Sequence, residues 1–249
     1  MSYLFYQRIR YFLKARHRKG HGIHSPFLFR LITRVIENDG FFSAYSLLDA
    51  AGENVRNMLR ILEVDTRGEQ PATGKGTHVP LIPKLHLLPP RFNKLLFRLV
   101  NDFGPRKIAF YGNTFGVTLL ALALADKRIK LEAQVANSQA RSFCRRLVEV
   151  YEVENITVKE IDAIFDSDFV VVQNPQDPVE CNRILAQVLG QNEFEGLVVL
   201  CGIHTSQKME EVWNSYRTIQ PVRISLDLFE IGIYICKKGL QREKFMLRF

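Results

Sequence analysis

The chain has 249 residues, of which 47% are hydrophobic, and a formal net charge of +8. This length suits one α/β domain with an added segment, or two small domains. No apolar run reaches the roughly 18 residues of a membrane-spanning helix. The four cysteines are scattered without C-x-x-C spacing, which argues against a disulfide framework or a thiolate zinc site and predicts a cytoplasmic location.

The positive charge is concentrated at the start of the sequence. Eight Lys or Arg residues and no Asp or Glu lie within the first 36 positions. A localised basic field of this kind attracts an anionic partner, either nucleic acid or an anionic membrane surface. The alternative is an ordinary solvated helix face.

Residues 1–64 predict an N-terminal helical extension. A first helix is expected from Tyr3 to Arg16, with cations on one face and these apolar residues on the other: Phe5, Ile9, Phe12 and Leu13. Ser25 is a suitable N-cap for a second helix that begins at Pro26. A third helix is expected over residues 44–62. The nearby histidines His17, His21 and His24 lack further ligands, so we interpret them as structural.

Residues 65–89 predict a linker, because 65–83 are rich in Gly, Pro and Thr. The stretch "TGKGT" resembles a phosphate-binding loop. The pattern G-x-x-x-x-G-K-[ST] is not met, since Gly68 lies one position too far from Gly74 and Gly76 replaces the hydroxyl residue.

Residues 90–249 alternate helical and strand patterns, which predicts a parallel sheet covered by helices on both faces. The expected helices span 90–103, 117–125, 138–151, 178–189 and 206–216. The expected strands span 107–111, 131–135, 156–160, 168–172, 196–201, 222–228 and 231–237, with a short last one at 245–249. Strands 222–228 and 231–237 are too close for a crossover helix and predict an antiparallel hairpin.

Ligands of open α/β sheets bind beyond the carboxyl ends of the strands. The candidate cofactor-binding residues therefore follow those ends: Gly112, Asn113, Thr114, Gly116, Ala136, Asn137, Asp162 and Gln173. His204 follows the fifth strand and is a candidate general base, with helix capping or a loop hydrogen bond as the alternative. Trp213 and Met209 are expected in the core.

The segments "GHGIHSPFLFRLITRVI", "NKLLFRLVNDFGPRKIAFYGNTFGVTLLALALA", "IHTSQKMEEVW" and "ISLDLFEIGIYICKK" resemble class I S-adenosylmethionine-dependent methyltransferases, in particular a bacterial O-methyltransferase-like branch with an N-terminal HGIHSPF segment. The resemblance implies a Rossmann-like α/β fold with a seven-stranded, mostly parallel sheet of order 3-2-1-4-5-7-6. It implies S-adenosylmethionine as the cofactor and assigns Asp162 to the adenine amino group.

The acids that the resemblance implies at the strand ends are missing. Phe110 stands where the first strand carries a carboxylate, and no acid lies at Ala136, where the ribose hydroxyls are bound. Gln173 and Cys201 replace the acids of the fourth and fifth strands, so we expect no metal ion there.

We therefore expect a methyltransferase-like pseudoenzyme with weakened or lost cofactor binding and catalysis. One alternative is an active, metal-independent methyltransferase of unknown substrate. The other is a binding module that uses the basic N-terminal helix for nucleic acid or an anionic membrane. Homo-oligomer formation stays open.

Overall fold

A computed structural model describes residues 3–15, 23, 25–68, 87–160, 166–173, 177–190 and 193–249, and for 59–68 it describes the backbone only. The helices are α1 (Tyr3–Lys14), α2 (Pro26–Leu31), α3 (Ala44–Gly68), α4 (Pro90–Phe103), α5 (Val117–Ala123), α6 (Ser138–Val150), α7 (Pro178–Leu189) and α8 (Gln207–Tyr216). A π-helical segment, Ile32–Ile36, continues α2. No helix in these described ranges is both long and apolar enough to cross a bilayer.

Eight strands form one mixed sheet. They are β1 (Lys107–Gly112), β2 (Lys130–Gln134), β3 (Ile156–Lys159), β4 (Phe169–Gln173), β5 (Gly196–Cys201), β6 (Ile224–Asp227), β7 (Ile231–Cys236) and β8 (Glu243–Met246). The spatial order is β3-β2-β1-β4-β5-β7-β6-β8. β7 runs antiparallel to β5 and β6, whereas the other neighbouring pairs are parallel.

The predicted fold class, strand order and β6–β7 hairpin are confirmed, but the predicted number of seven strands is wrong. β8 adds an eighth strand, parallel to β6 at the sheet edge. It also covers 243–246 rather than the predicted 245–249, because Lys244 and Phe245 pair with Ser225 and Leu226. The last residues, 247–249, continue beyond the paired segment.

The N-terminal helices differ from the predicted boundaries at two places. α1 ends at Lys14, and the predicted end at Arg16 lies outside the described residues. α3 continues to Gly68, beyond the predicted start of the linker at 65, because Gly68 is the first Gly or Pro that the helix meets after Gly52. The rest of that segment up to residue 86 lies outside the described residues.

The start of α2 forms as the sequence predicts. Ser25 has extended backbone angles, its hydroxyl oxygen accepts from the Leu28 amide at 3.4 Å, and Pro26 is the first helical residue. The missing N–H of Pro26 costs nothing there, because the first amides of a helix have no partner within it.

The sheet separates two hydrophobic clusters. Alternate residues of β1 point to opposite faces, so Ile108 and Phe110 join the larger cluster, and Ala109 and Tyr111 join the smaller one. α2 to α6 contribute to the larger cluster, whereas α7 and α8 cover the other face. Trp213 belongs to the smaller cluster and is 1% exposed, as expected for a core residue.

Candidate functional site: the carboxyl edge of the sheet

Two glycines with positive φ angles lie at the end of β1 and in the turn that follows it. Gly112 and Gly116 have φ angles of +119° and +87°, which side-chain-bearing residues rarely adopt. A Cβ atom at Gly112 would lie 1.9 Å from the Gln173 carbonyl oxygen, and one at Gly116 would lie 2.6 Å from Leu147 Cδ2. The close packing of β4 and α6 therefore explains both glycines without a ligand.

The polar side chains of this turn bind neighbouring protein groups. Asn113 Oδ1 accepts from the Asn137 amide at 3.0 Å, and Asn137 Oδ1 accepts from the Ala140 amide at 2.9 Å to cap α6. Thr114 Oγ1 accepts from the Gly116 amide at 3.2 Å. Residues 112–116 are all buried. These hydrogen bonds join the ends of β1 and β2 to each other.

An arginine lies at the end of β2. Arg141 Nη1 donates to the carbonyl oxygens of Val135 at 2.7 Å and Ala136 at 3.2 Å, and Nη2 lies 3.5 Å from Glu160 Oε2. This residue was not predicted from the sequence. Its position four residues after the α6 N-cap was the available signal, because helical side chains lean back toward the N-terminus.

The end of β4 holds a buried amide. Gln173 is 2% exposed, and its Oε1 accepts no hydrogen bond from any described residue. Residues 161–165 and 174–176 lie outside the described ranges, and they include the predicted adenine ligand Asp162. Phe110 is fully buried within the larger hydrophobic cluster.

The described residues at this edge fit S-adenosylmethionine poorly. Its ribose hydroxyls need acceptors, and a carboxylate is the strongest one, because charge-assisted hydrogen bonds are about twice as strong as neutral ones. Here the end of β2 carries the guanidinium of Arg141, which is a donor and is paired with the Glu160 carboxylate at 3.5 Å. In the described part of the chain, no group of three or more His, Cys, Asp or Glu residues is placed to hold a metal ion.

His204 is buried beneath α1 rather than exposed at a cleft. It is 5% exposed, its Nε2 lies 2.9 Å from Asp227 Oδ2, and its ring stacks on Phe229 with centroids 5.3 Å apart. An ionised carboxylate only accepts hydrogen bonds, so Nε2 donates to Asp227. Nδ1 lies 3.8 Å from Glu210 Oε2. Ser206, not His204, caps α8 through the Met209 amide.

The acidic groups around His204 anchor α1. The Tyr3 hydroxyl donates to Glu210 at 2.5 Å, Arg10 lies 3.4 Å from the same carboxylate, and Arg8 lies 3.2 Å from Glu230. Desolvation of the Tyr3 hydroxyl, together with its hydrogen bond to Glu210, raises the pKa of that hydroxyl to about 12. The arrangement is a docking site for α1, and His204 is not placed to act as a base on a substrate.

A cationic cleft of about 810 Å³ lies between residues 33–41, α4 and the end of the chain after β8. At its wall Arg98 is 7% exposed and donates only to neutral groups: Val35 O, Ile36 O and the Tyr45 hydroxyl. Further cations, Arg91, Lys94 and Arg248, line it together with Glu37 and Asp39. No carboxylate of a described residue lies within 4.0 Å of the Arg98 guanidinium, so this wall of the cleft is electropositive.

The fold is shared with solved methyltransferase structures. The SAH-bound methyltransferase of Podospora anserina has a TM-score of 0.57 and 10% sequence identity, over 87% of this chain and 97% of its own. The SAM-bound O-methyltransferase TomG of Streptomyces achromogenes, involved in tomaymycin synthesis, has a TM-score of 0.51 and 14% identity, over 80% and 91%. The SAH-bound O-methyltransferase of Bacillus cereus has a TM-score of 0.50 and 13% identity, over 79% and 92%.

No protein-family model matches the sequence, and no curated protein does. At these identities the structural likeness establishes the architecture and not the activity. The strand order with an antiparallel β7, the helices on both faces and these structural neighbours agree with one another. The chain therefore has the fold of the S-adenosylmethionine-dependent O-methyltransferases.

Proposed function

We propose that this chain is a methyltransferase-fold protein that has lost useful S-adenosylmethionine binding and acts as a binding protein rather than a catalyst. The observation that carries the proposal is Arg141 on the carbonyl oxygens of Val135 and Ala136. The resemblance implies an acceptor for the ribose hydroxyls at the end of β2, and the chain instead has a guanidinium donor there, with the Glu160 carboxylate 3.5 Å from its Nη2. The hydrogen bonds by which Asn113 and Thr114 bind neighbouring protein amides support the same conclusion.

The size of the effect follows from the missing contacts. Losing a hydrogen bond to a charged group costs about 1.5–3 kcal/mol. The acids absent at Phe110 and Ala136 would together weaken binding by roughly 3–6 kcal/mol if their effects add. That change takes a micromolar site to the millimolar range or beyond.

Calorimetric titration of the full chain with S-adenosylmethionine and S-adenosylhomocysteine tests the proposal. We expect dissociation constants above about 1 mM for both. The double variant Ala136→Glu, Arg141→Met supplies an acceptor and removes the guanidinium, and we expect at least tenfold tighter binding. Ala136 is partly exposed, so the new carboxylate reaches solvent.

The matched control is Arg145→Met. Arg145 lies one turn further along α6 and also donates to a backbone carbonyl, that of Val158 at 3.0 Å. Its replacement should leave the affinity unchanged. A micromolar dissociation constant for the unmodified chain, or cofactor retained through purification, would refute the proposal.

The second candidate function is an active, metal-independent methyltransferase. The retained left-handed glycines Gly112 and Gly116 favour it, because they keep the shape of a cofactor turn. It predicts transfer of a labelled methyl group from S-adenosylmethionine to a component of a small-molecule extract. His204→Gln should then leave transfer intact, because His204 is buried beneath α1.

A further inference from the structure

The outward face of α1 is an exposed apolar strip. Leu4, Phe5, Tyr6, Ile9, Phe12 and Leu13 are between 42% and 74% exposed, and they are half of the 12 residues of the helix. Residues 5, 9, 12 and 13 follow the spacing of one helical face. The sequence predicts this face but not its direction: the opposite face, with Gln7 and Tyr11, is the one that docks.

The docking of α1 fixes the strip toward solvent. The Tyr11 hydroxyl donates to the Leu247 carbonyl, and the Tyr11 and Phe229 rings are 5.1 Å apart. The Tyr3 bond to Glu210 holds the same side of the helix. The strip is therefore presented by a helix whose other face is already occupied, and its side chains cannot turn inward without breaking these contacts.

Cations flank the strip. Lys14 and Arg248 are exposed, and neither has an ion pair with a described residue. The Arg248 guanidinium lies 3.9 Å above the Phe12 ring, so the charge adjoins the strip directly. Arg248 and Arg91 also line the cationic cleft, which therefore borders α1. Arg8 and Arg10 are exposed as well, although Glu230 and Glu210 partly offset their charges.

We infer that α1 is an interfacial helix that lies on an anionic membrane surface. An apolar face with cationic flanks is the pattern by which helices insert shallowly among anionic headgroups. Nucleic acid would use the cations but gains nothing from Ile9 and Leu13. A second copy of the chain would bring cationic flanks toward each other. The exposed cations Lys14 and Arg248 beside the strip complement an anionic surface.

This inference is independent of cofactor binding. Flotation of the full chain with vesicles of phosphatidylcholine and 30% phosphatidylserine, at about 0.1 M salt, tests it. We expect binding to these vesicles and at least tenfold weaker binding to pure phosphatidylcholine. The triple variant Phe5→Ser, Ile9→Ser, Leu13→Ser should reduce binding to the mixed vesicles at least tenfold without lowering the melting temperature, because all three side chains are exposed.

Two controls separate the contributions. Val150→Ser with Val179→Ser removes side chains that are 67% and 76% exposed on other helices and should leave vesicle binding unchanged. Lys14→Gln with Arg248→Gln should weaken binding to the anionic vesicles. Lys127→Gln with Lys130→Gln removes equal charge from exposed side chains near the start of β2, six strands away from β8, and should not weaken binding.

Each remaining outcome overturns the inference. If the unmodified chain remains at the bottom of the gradient, or if the triple variant still floats with the vesicles, the strip does not bind membranes. If the chain forms a dimer in light scattering that the triple variant loses, and does not float, the strip is a self-association surface. Binding to a duplex oligonucleotide that survives the triple variant, without flotation, would assign the surface to nucleic acid.

Discussion

Gly112 and Gly116 occupy positions that suggest a ligand contact, yet their immediate neighbours are protein atoms. At Gly112 the oxygen that blocks a Cβ atom belongs to the β4 backbone, and the Asn113 amide donates to that same oxygen at 3.0 Å. Backbone cannot move aside as a flexible side chain does. Gly112 is therefore required both by its positive φ angle and by the lack of space for a Cβ atom.

We expect Gly112→Ala to lower the free energy of unfolding by roughly 2–5 kcal/mol, from the φ strain and the overlap with Gln173. Gly239→Ala is the matched control, because Gly239 has a φ angle of +82° and no atom within 4 Å of the added Cβ. It should cost only about 1–2 kcal/mol. Urea denaturation measures the free energy of unfolding of both variants. Equal losses would show that the overlap with the Gln173 carbonyl oxygen adds nothing to the cost of the φ angle.

The elements at the amino end are joined by one buried arginine. Arg98 on α4 donates to Val35 and Ile36 of the π-helical segment at 2.5 Å and 3.0 Å, and to Tyr45 of α3 at 2.9 Å. The last carbonyls of a helix have no partner within it. The Arg98 guanidinium therefore satisfies the last carbonyls of the π-helical segment and holds α3 and α4 beside it.

Replacing Arg98 by Met keeps most of the volume and leaves those acceptors without a donor. We expect the free energy of unfolding to fall by about 3 kcal/mol, because each buried acceptor that loses its partner costs roughly 1–3 kcal/mol. Arg91→Met should cost less than about 1 kcal/mol, since Arg91 is exposed and its guanidinium lies over the Phe92 and Phe249 rings. Thermal unfolding of the two variants compares them, and similar losses would contradict the assigned role.

What could be predicted from the sequence depended on the range of the interactions. Ser25 and Pro26 form a helix start through neighbours within three residues. The β6–β7 hairpin follows from the small number of residues between the two strands. Arg98 and the Asp227 partner of His204 depend on contacts 23 to 63 positions apart. Sequence periodicity and motif spacing cannot predict contacts between residues so far apart in the chain. For the same reason the outward direction of the α1 apolar face could not be predicted.

Across the whole molecule, four buried cysteines make stability dependent on alkaline pH. Burial raises the pKa of the Cys144, Cys181 and Cys236 thiols from 9.0 to about 12, and raises that of Cys201 as well. All four are free thiols. The folded state thus favours the protonated thiol, and this contribution to stability is fully present below pH 9.

The contribution is lost as the pH rises from 9 toward 12, because thiols of the unfolded chain ionise first. Each thiol lowers the free energy of unfolding by up to about 1.4 kcal/mol per pH unit in that range. Urea denaturation at pH 8, 9 and 10 should show the decline, and Cys236→Ala should make it shallower. Equal free energies at pH 8 and 10 would contradict the prediction.

The docking of α1 has a consequence for the order of folding. Its partners Glu210, Glu230 and Leu247 lie 200 to 236 positions further along the chain. Closing so long a loop is entropically costly until the intervening sheet has condensed. We therefore expect the contact of Tyr11 with Leu247 to form only after β6, β7 and β8 are in place. During synthesis α1 leaves the ribosome long before the surface that will hold it exists, and throughout that interval both of its faces are free.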